Sequence, residues 1–325
     1  MRRRGGRQSA RTTPPVEGPS VVGTVVWLAG IACRVRTEEG EVHVVPLPPR
    51  RESGLVAVGD EVEIVLAAAG PQLGAVSPRR TFLARPDPQD GRRALVIAAN
   101  VDAVVIVVSV VEPPLHPRLI DRFLVAIQLG GATPLLAVNK VDRLSELDDA
   151  ARAAELEKLA PYRAMGLEVI ECSTKSGAGL DALRDALRGR TCAFVGHSGV
   201  GKSSIVNAFD PTLGAKTGEL SAAWGGRGRH TTTASTMHVL GDGTRVIDTP
   251  GVRAVGLWSL TPRELGRYFP EIGALSSGCR FGDCLHDLEP HCAVKAAGAR
   301  GEIPAARYEA YLRILRSLRE EGARS

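Results

Sequence analysis

The sequence predicts a multidomain α/β protein. A small β-barrel stands at the N-terminal end, a mostly parallel sheet covered by helices fills the middle, and a helical module folds around a cysteine-histidine cluster. Three observations carry this prediction. Short β-like runs separated by turns fill residues 20–80. From about residue 94, apolar runs alternate with helical patterns, as they do where parallel strands need helical crossovers. Three of the six cysteines, Cys279, Cys284 and Cys292, crowd into fourteen residues. A chain of 325 residues has room for two or three such units.

Residues 1–18 hold five arginines against one glutamate, which is most of the net charge of +5. They read as a basic, disordered tail, suited equally to a polyanion and to a solvated end. Residues 19–80 contain VVGTVVW, IACRVR, EVHVV, EVEIVL and the run Leu73–Val76. Their size and spacing suggest an OB-like barrel. Trp27 is the only aromatic residue there, which argues against base-by-base stacking and for contact with folded RNA or protein. Residues 81–93, rich in proline and arginine, read as a linker.

In residues 94–262 the strand DAVVIVV precedes the helix PRLIDRFLVAIQL, whose positions 119, 120, 123, 124 and 127 form one apolar face. The strand PLLAVNK, a helix near 148–164, the strand LEVIEC, a helix over 179–188, the strand TCAFVG and a helix over 202–209 follow. The strands TMHVL and TRVID complete the set. Residues 263–325 turn helical, and the last helix places Tyr308, Tyr311, Leu312, Leu315 and Leu318 on one stripe.

Composition excludes wholesale disorder and a fibrous protein. The longest apolar candidate for a membrane span, Ala103–Val111, has nine residues and reads as a buried strand. The basic N-terminus has no apolar core behind it, so the expectation is a cytoplasmic protein with no secretory signal and no membrane contact.

Gly196-His197-Ser198-Gly199-Val200-Gly201-Lys202-Ser203 fits G-x-x-x-x-G-K-[ST] between an apolar strand and a helix that continues through Ser204. Its glycines let backbone amides wrap phosphate oxygens, and the helix N-terminus favours the anion. Lys202 adds a point charge, and the Ser203 hydroxyl can ligate Mg²⁺. Asp248-Thr-Pro-Gly251 ends a strand fifty-two residues after Gly196. Asp248 can hold Mg²⁺ through water and Gly251 can contact the γ-phosphate.

Asn139-Lys140-Val141-Asp142 also ends a strand. A carboxylate at Asp142 can accept from guanine N1–H and the 2-amino group, a donor pair adenine lacks. Asn139 can bridge base and phosphate loop, and the Lys140 stem can lie over the ring. Ser173-Thr174-Lys175 follows the next strand and can present a backbone N–H to guanine O6. Of only six lysines, Lys140, Lys175 and Lys202 fall in these motifs. GTPases usually run phosphate loop, D-x-x-G, N-K-x-D and then the serine-lysine element. Here the last two come first, so the domain reads as a circularly permuted P-loop GTPase.

Cys279-x4-Cys284-x-His286-x5-Cys292 supplies three thiolates and one imidazole, a closed tetrahedral shell of the kind that holds structural zinc. His291 is adjacent and could replace His286. Cys33, Cys172 and Cys192 sit in apolar strand contexts and read as core residues.

This order of motifs, together with Gly228-Arg-His-Thr-Thr-Thr233 and the cysteine spacing, resembles the bacterial ribosome small-subunit-dependent GTPase A family (RsgA, also called YjeQ) over about residues 20–325. The resemblance implies an OB barrel, a permuted GTPase domain and a zinc-binding helical domain. It implies GTP hydrolysis to GDP late in maturation of the small (30S) ribosomal subunit, stimulated by that subunit, with 16S rRNA binding. A monomer is expected. Switch I falls between Gly225 and Thr233, where Thr232 is our choice among three threonines to complete the Mg²⁺ shell. Val252 follows Gly251, where many GTPases carry a water-orienting glutamine. His230 is the nearby candidate for that task, and the resemblance supports it. The competing readings are a GTP-regulated RNA-binding scaffold with negligible turnover and, disfavoured by Asp142, a P-loop ATPase or kinase.

Overall fold

The computed structural model describes residues 18–47, 56–87, 94–213, 234–248, 256–257 and 260–323. Its first five strands are β1 (Ser20–Ala29), β2 (Ala32–Thr37), β3 (Val42–Pro46), β4 (Glu61–Ala67) and β5 (Gly70–Val76). All pair antiparallel, in the order β3–β2–β1–β4–β5, and β3 also approaches β5. Alternation of inward apolar side chains buries Val25, Cys33, Val35, Val45, Val62 and Ile64. The register of β1 against β2 shifts between Val25 and Trp27, a bulge of the kind that bends a strand.

The segment read as a linker holds β6 (Phe82–Pro86), which pairs antiparallel with β7 (Ala94–Ala99). Phe82 and Leu83 supply the apolar content that the prolines and arginines around them obscure. Pro86 closes β6 at a strand end, where the missing N–H is least costly. The segment is docked: Thr81 Oγ1 donates to Val101 O at 2.6 Å, Thr81 O accepts from the Asn100 amide at 2.8 Å, and the Phe82 amide donates to Gly130 O at 2.9 Å.

The central sheet runs β10 (Val169–Glu171), β9 (Thr133–Asn139), β8 (Ala103–Ser109), β11 (Thr191–Val195), β13 (Arg245–Asp248) and β12 (Ser235–Val239). The first five are mutually parallel and β12 is antiparallel. All seven residues of β8 are buried, as expected of a strand covered on both faces. Period-two alternation sorts the faces. Val104, Ile106, Val108, Leu136 and Val138 pack with Ile120, Phe123, Leu124 and Ile127 of α1 (Pro117–Leu129). Ala103, Val105, Val107, Leu135 and Phe194 pack with α4 (Leu180–Leu187) and α5 (Lys202–Phe209). Each fully buried large apolar side chain contributes about 1.5–3 kcal/mol. The helical stretch near 148–164 is two helices, α2 (Asp149–Glu157) and α3 (Ala160–Ala164); Pro161 cannot continue a preceding turn and starts a new one instead.

The five N-terminal strands are continuous with this sheet. Trp27 and Leu28 of β1 pair with Thr236 and Ser235 of β12, giving one sheet of eleven strands among the described residues. The C-terminal module comprises a 3-10 turn (Leu265–Tyr268), α6 (Pro270–Ser276), α7 (Ala293–Ala299) and α8 (Ala305–Ala323). The buried Phe269 ring meets Tyr311 edge-on at 5.4 Å. A charged contact joins the module to α1: Arg307 Nη1 lies 2.9 Å from Asp121 Oδ1, and both side chains are 4% exposed.

Candidate nucleotide site and metal centre

Every described motif falls at the carboxyl edge of the parallel strands. Asn139 ends β9, Ser173 lies just past β10, Gly196 follows β11, and Asp248 ends β13. In open α/β sheets ligands bind in the crevice outside that edge. Gly251, His230 and Thr232 lie outside the described residues.

The phosphate loop owes its shape to its glycines. Gly196, Gly199 and Gly201 have φ of 143°, 81° and 97°. A Cβ at Gly196 would sit 2.2 Å from Val107 O, and one at Gly201 would sit 2.2 Å from Asn139 Nδ2, so only glycine fits either position. Lys202 Nζ donates to Gly196 O at 2.9 Å and to His197 O at 2.7 Å, which folds its side chain back over the loop. His197 Nδ1 lies 3.0 Å from Ser198 O. Val200 is buried behind the loop, while His197, Ser198, Gly199, Ser203 and Ser204 face solvent. The exposed Ser203 hydroxyl, in the first turn of α5 after β11, and the exposed Asp248 carboxylate, at the end of the neighbouring β13, are hard oxygen donors of the kind that suits Mg²⁺.

The base-reading turn is built on a buried amide. Asn139 is fully buried, and its Nδ2 donates to Val200 O at 2.9 Å, locking β9 to the phosphate loop. Its Oδ1 accepts from the Thr174 amide at 3.3 Å. Lys140 takes a left-handed φ of 65°, and its Nζ donates to the Glu112 carbonyl. Val141 donates its amide to Cys172 O at 3.2 Å and opens the 3-10 turn Val141–Glu146. In that turn Asp142 Oδ1 accepts from Ser173 Oγ at 2.5 Å. Ser173 Oγ in turn accepts from the amides of Lys175 and Ser176 at 3.2 and 3.1 Å. Of the Ser173, Thr174 and Lys175 amides, one of which is expected to face guanine O6, the first donates to Ala178 O at 2.9 Å and the other two are engaged within the protein through longer bonds. Glu112, Arg143 and Ser176 were not singled out from sequence. Glu112 lies about thirty positions upstream of the motif it touches, and no local pattern marks it.

At the cysteine cluster, one ligand atom from each of Cys279, Cys284, His286 and Cys292 lies within 4.8 Å of every other. Tetrahedral zinc with Zn–S of about 2.3 Å and Zn–N of about 2.0–2.1 Å requires S···S near 3.8 Å and S···N near 3.6 Å. The Cys279 and Cys292 sulfurs are 3.8 Å apart, and each is 3.5 Å from His286 Nδ1. The residues therefore fit a zinc ion. His286 is 4% exposed at a left-handed φ of 58°, and its Nε2 lies 3.2 Å from Ser276 Oγ. Ser276 Oγ donates to Ile272 O at 2.8 Å, so it accepts from Nε2–H and leaves Nδ1 bare for a metal. His291, the alternative ligand, is exposed and outside the cluster.

Burial lowers the His286 imidazole, keeping it neutral, against an upward pull from Glu289. Burial pushes the Cys279 thiol up, but backbone N–H groups of Val294 and Ala293, with Cys292 and Cys284, bring it below its ordinary value. The Lys295 amide at the start of α7 donates to Cys292 Sγ at 3.4 Å. Tyr308 and Tyr311 of α8 brace the loop by donating to His286 O at 2.6 Å and Leu285 O at 3.0 Å. The scattered cysteines are core: burial raises Cys33 and Cys172 to about 11, and raises Cys192 to about 12 with help from Asp102 and Asp242.

Residues 76–258 match the family model described as RsgA GTPase. The small ribosomal subunit biogenesis GTPase RsgA of Haemophilus influenzae is 38% identical over 310 residues, covering 93% of this chain and 86% of that protein. The protein named small ribosomal subunit biogenesis GTPase RsgA 1 of Vibrio vulnificus is 44% identical over 249 residues, 77% of this chain and 69% of that one. Among solved structures, YjeQ from Thermotoga maritima aligns with a TM-score of 0.72 at 31% identity, covering 92% of this chain and 99% of that chain. YloQ, described as a circularly permuted GTPase, aligns with a TM-score of 0.69 at 28% identity, covering 93% and 96%. With the motif loops converging on one sheet edge in permuted order, the chain belongs to the RsgA GTPase family.

Proposed function

We propose that the chain hydrolyses GTP to GDP and phosphate in late maturation of the small (30S) ribosomal subunit, with turnover stimulated by that subunit and with binding to 16S rRNA. One observation carries the reading: Asn139 ties the guanine-selecting turn to the phosphate loop through Val200 O, so both ends of one nucleotide are addressed by a single rigid edge. The names of the Haemophilus and Vibrio relatives support the ribosomal role.

Asp142 reads guanine N1–H and the 2-amino group. Ser173 Oγ donates to one of its oxygens and so orients the carboxylate. Asn139, Lys140, Val141, Thr174 and Lys175 complete the base side, and Gly196 to Ser204 cradle the phosphates. Ser203 and Asp248 hold Mg²⁺ with Thr232, and the ion neutralises charge on the phosphates when bound. Gly251 contacts the γ-phosphate, and His230 orients the attacking water. One structural zinc sits in the Cys279, Cys284, His286 and Cys292 shell.

The domain reading is a basic tail over 1–18, an OB barrel over 19–80, a connecting segment over 81–93, a permuted GTPase domain over 94–262 and a zinc-binding helical domain over 263–325. The five-strand order β3–β2–β1–β4–β5 supports the barrel assignment. The protein acts as a cytoplasmic monomer.

The test is GTP turnover by the purified chain alone, with small subunits and with large subunits in parallel. Stimulation by small subunits only is expected. Binding of GTP and RNA without turnover in any mixture would favour the scaffold reading instead.

A further inference from the structure

The loop between β8 and α1, Val110–His116, lies outside every nucleotide motif, yet it touches two of them. β8 is the strand between β9, which carries the base reader, and β11, which carries the phosphate loop. Its following loop therefore emerges between the two halves of the nucleotide site. On the base side, Lys140 Nζ donates to the Glu112 carbonyl, and Arg143 Nη1 meets Glu112 Oε2 at 2.9 Å. On the phosphate side, Pro113 Cδ lies 3.8 Å from where a Cβ of residue 199 would stand. The loop is held at its root by the buried Ser109, whose Oγ donates to Pro113 O at 2.6 Å.

Resting on the assignment of a guanine nucleotide to this edge, we propose that the Glu112–Pro113 loop is the anchor of Lys140 and a determinant of guanine-nucleotide affinity. An ammonium on four methylenes is flexible, and a lysine free to rotate makes a poor platform for a ring. Tied at Nζ to a backbone carbonyl, the Lys140 stem is stretched into a fixed apolar bar. Its backbone is left-handed, and its Nζ reaches back to the loop that follows β8. The Glu112 side chain is 78% exposed and its pair with Arg143 carries little energy of its own. Its value is geometric: Arg143, itself clamped to Glu146 at 2.8 Å, holds the residue whose carbonyl anchors Lys140. Glu112, Pro113 and Arg143 are thus positioning residues that act through Lys140.

The experiment measures affinity and release of a fluorescent GDP for the full-length protein, with variants Glu112→Ala and Glu112→Ala combined with Pro113→Gly. Glu112→Ala keeps the backbone carbonyl but frees it from Arg143, and loss of that hold predicts about three- to tenfold weaker binding, expressed mostly as faster release. The double variant should stand at the upper end. Two readouts separate positioning from general loosening. In a Lys140→Met background the Glu112 substitution should have no further effect, because the anchored group is gone. The conservative exchange Glu112→Gln, which keeps a side-chain acceptor for Arg143, should retain most of the affinity that Glu112→Ala loses. Wild-type affinity in both loop variants, or full additivity with Lys140→Met, overturns the proposal while leaving the GTP site intact. Failure of the wild-type protein to bind guanine nucleotide at all would overturn the site assignment itself.

Discussion

At the scale of a single residue, the proposed choice of guanine rests on Asp142. Its carboxylate already accepts from Ser173 and keeps lone pairs for a base. Asparagine there would turn one acceptor into a donor facing guanine N1–H. Two hydrogen bonds to a charged group, at about 1.5–3 kcal/mol each, correspond to a loss of about 100-fold or more in GTP affinity. Xanthosine nucleotides, with a carbonyl where guanine has its amino group, should gain. Competition binding with Asp142→Asn checks this, and an unaltered preference for GTP would place the base elsewhere. The residues of the site were legible where chemistry is written contiguously: the glycines of the phosphate loop, the Asn-Lys-x-Asp turn and the cysteine spacing. His286 and His291 were indistinguishable by spacing. Packing decides between them, because only His286 is buried and backed by Ser276. Glu112 was illegible because its partners come from another strand.

At the scale of the element, the zinc module and its attachment obey different physics. The cluster loop between α6 and α7 has neither helix nor strand, and within Cys279–Cys292 only His286 and Cys292 are buried, so a metal in the proposed shell would supply much of the energy that orders it. Cys279→Ala should drop zinc well below one ion per chain and loosen α6 and α7, sparing most GTP binding. Metal analysis by mass spectrometry decides the first part, and a wild-type protein that contains no zinc removes the argument.

Attachment to α1 combines a shared apolar core with a buried ionic cluster. Arg307 bridges Asp121 at 2.9 Å and Glu271 at 2.6 Å, and its guanidinium lies 4.5 Å from the Phe269 ring centre. Tyr162 adds a bond to Asp121 at 3.1 Å. Burial still lifts the Asp121 carboxyl above its ordinary value, with Arg307, Tyr162 and Arg313 pulling it back only in part. Such a cluster specifies a docking geometry more than it stabilises. Arg307→Met would leave two carboxylates uncompensated and cost about 3–5 kcal/mol. Arg307→Lys, which keeps charge without the fork, should cost less, and thermal unfolding of the two variants tests the order. The sequence revealed the strands, helices and their alternation because periodicity is local. It concealed this clamp, whose partners are separated by 186 positions. The strand β6 was concealed too, because two apolar residues were outvoted by their proline and arginine neighbours.

At the scale of the whole molecule, the N-terminal strands and the C-terminal helices hold the far ends of the two segments expected to sense the γ-phosphate. The segment containing His230 and Thr232 runs into β12, whose first residues Ser235 and Thr236 pair with Leu28 and Trp27 of the barrel. The segment containing Gly251 leaves β13 at Asp248 and leads to Leu257, Leu260 and Leu265, all buried in the core shared with the C-terminal helices. A nucleotide that orders both segments would therefore bias both flanking modules. A tenfold preference needs only about 1.4 kcal/mol of differential contact, a small demand on two loops. We expect at least tenfold tighter binding to small subunits with a non-hydrolysable GTP analogue than with GDP. His230→Ala should bind GTP and the subunit, hydrolyse poorly and remain trapped on the particle. Co-sedimentation across the three conditions separates the claims. Equal binding with GDP and the analogue would remove the switch, whereas normal stimulated turnover in His230→Ala would remove only the histidine from catalysis and leave the two-sided coupling standing.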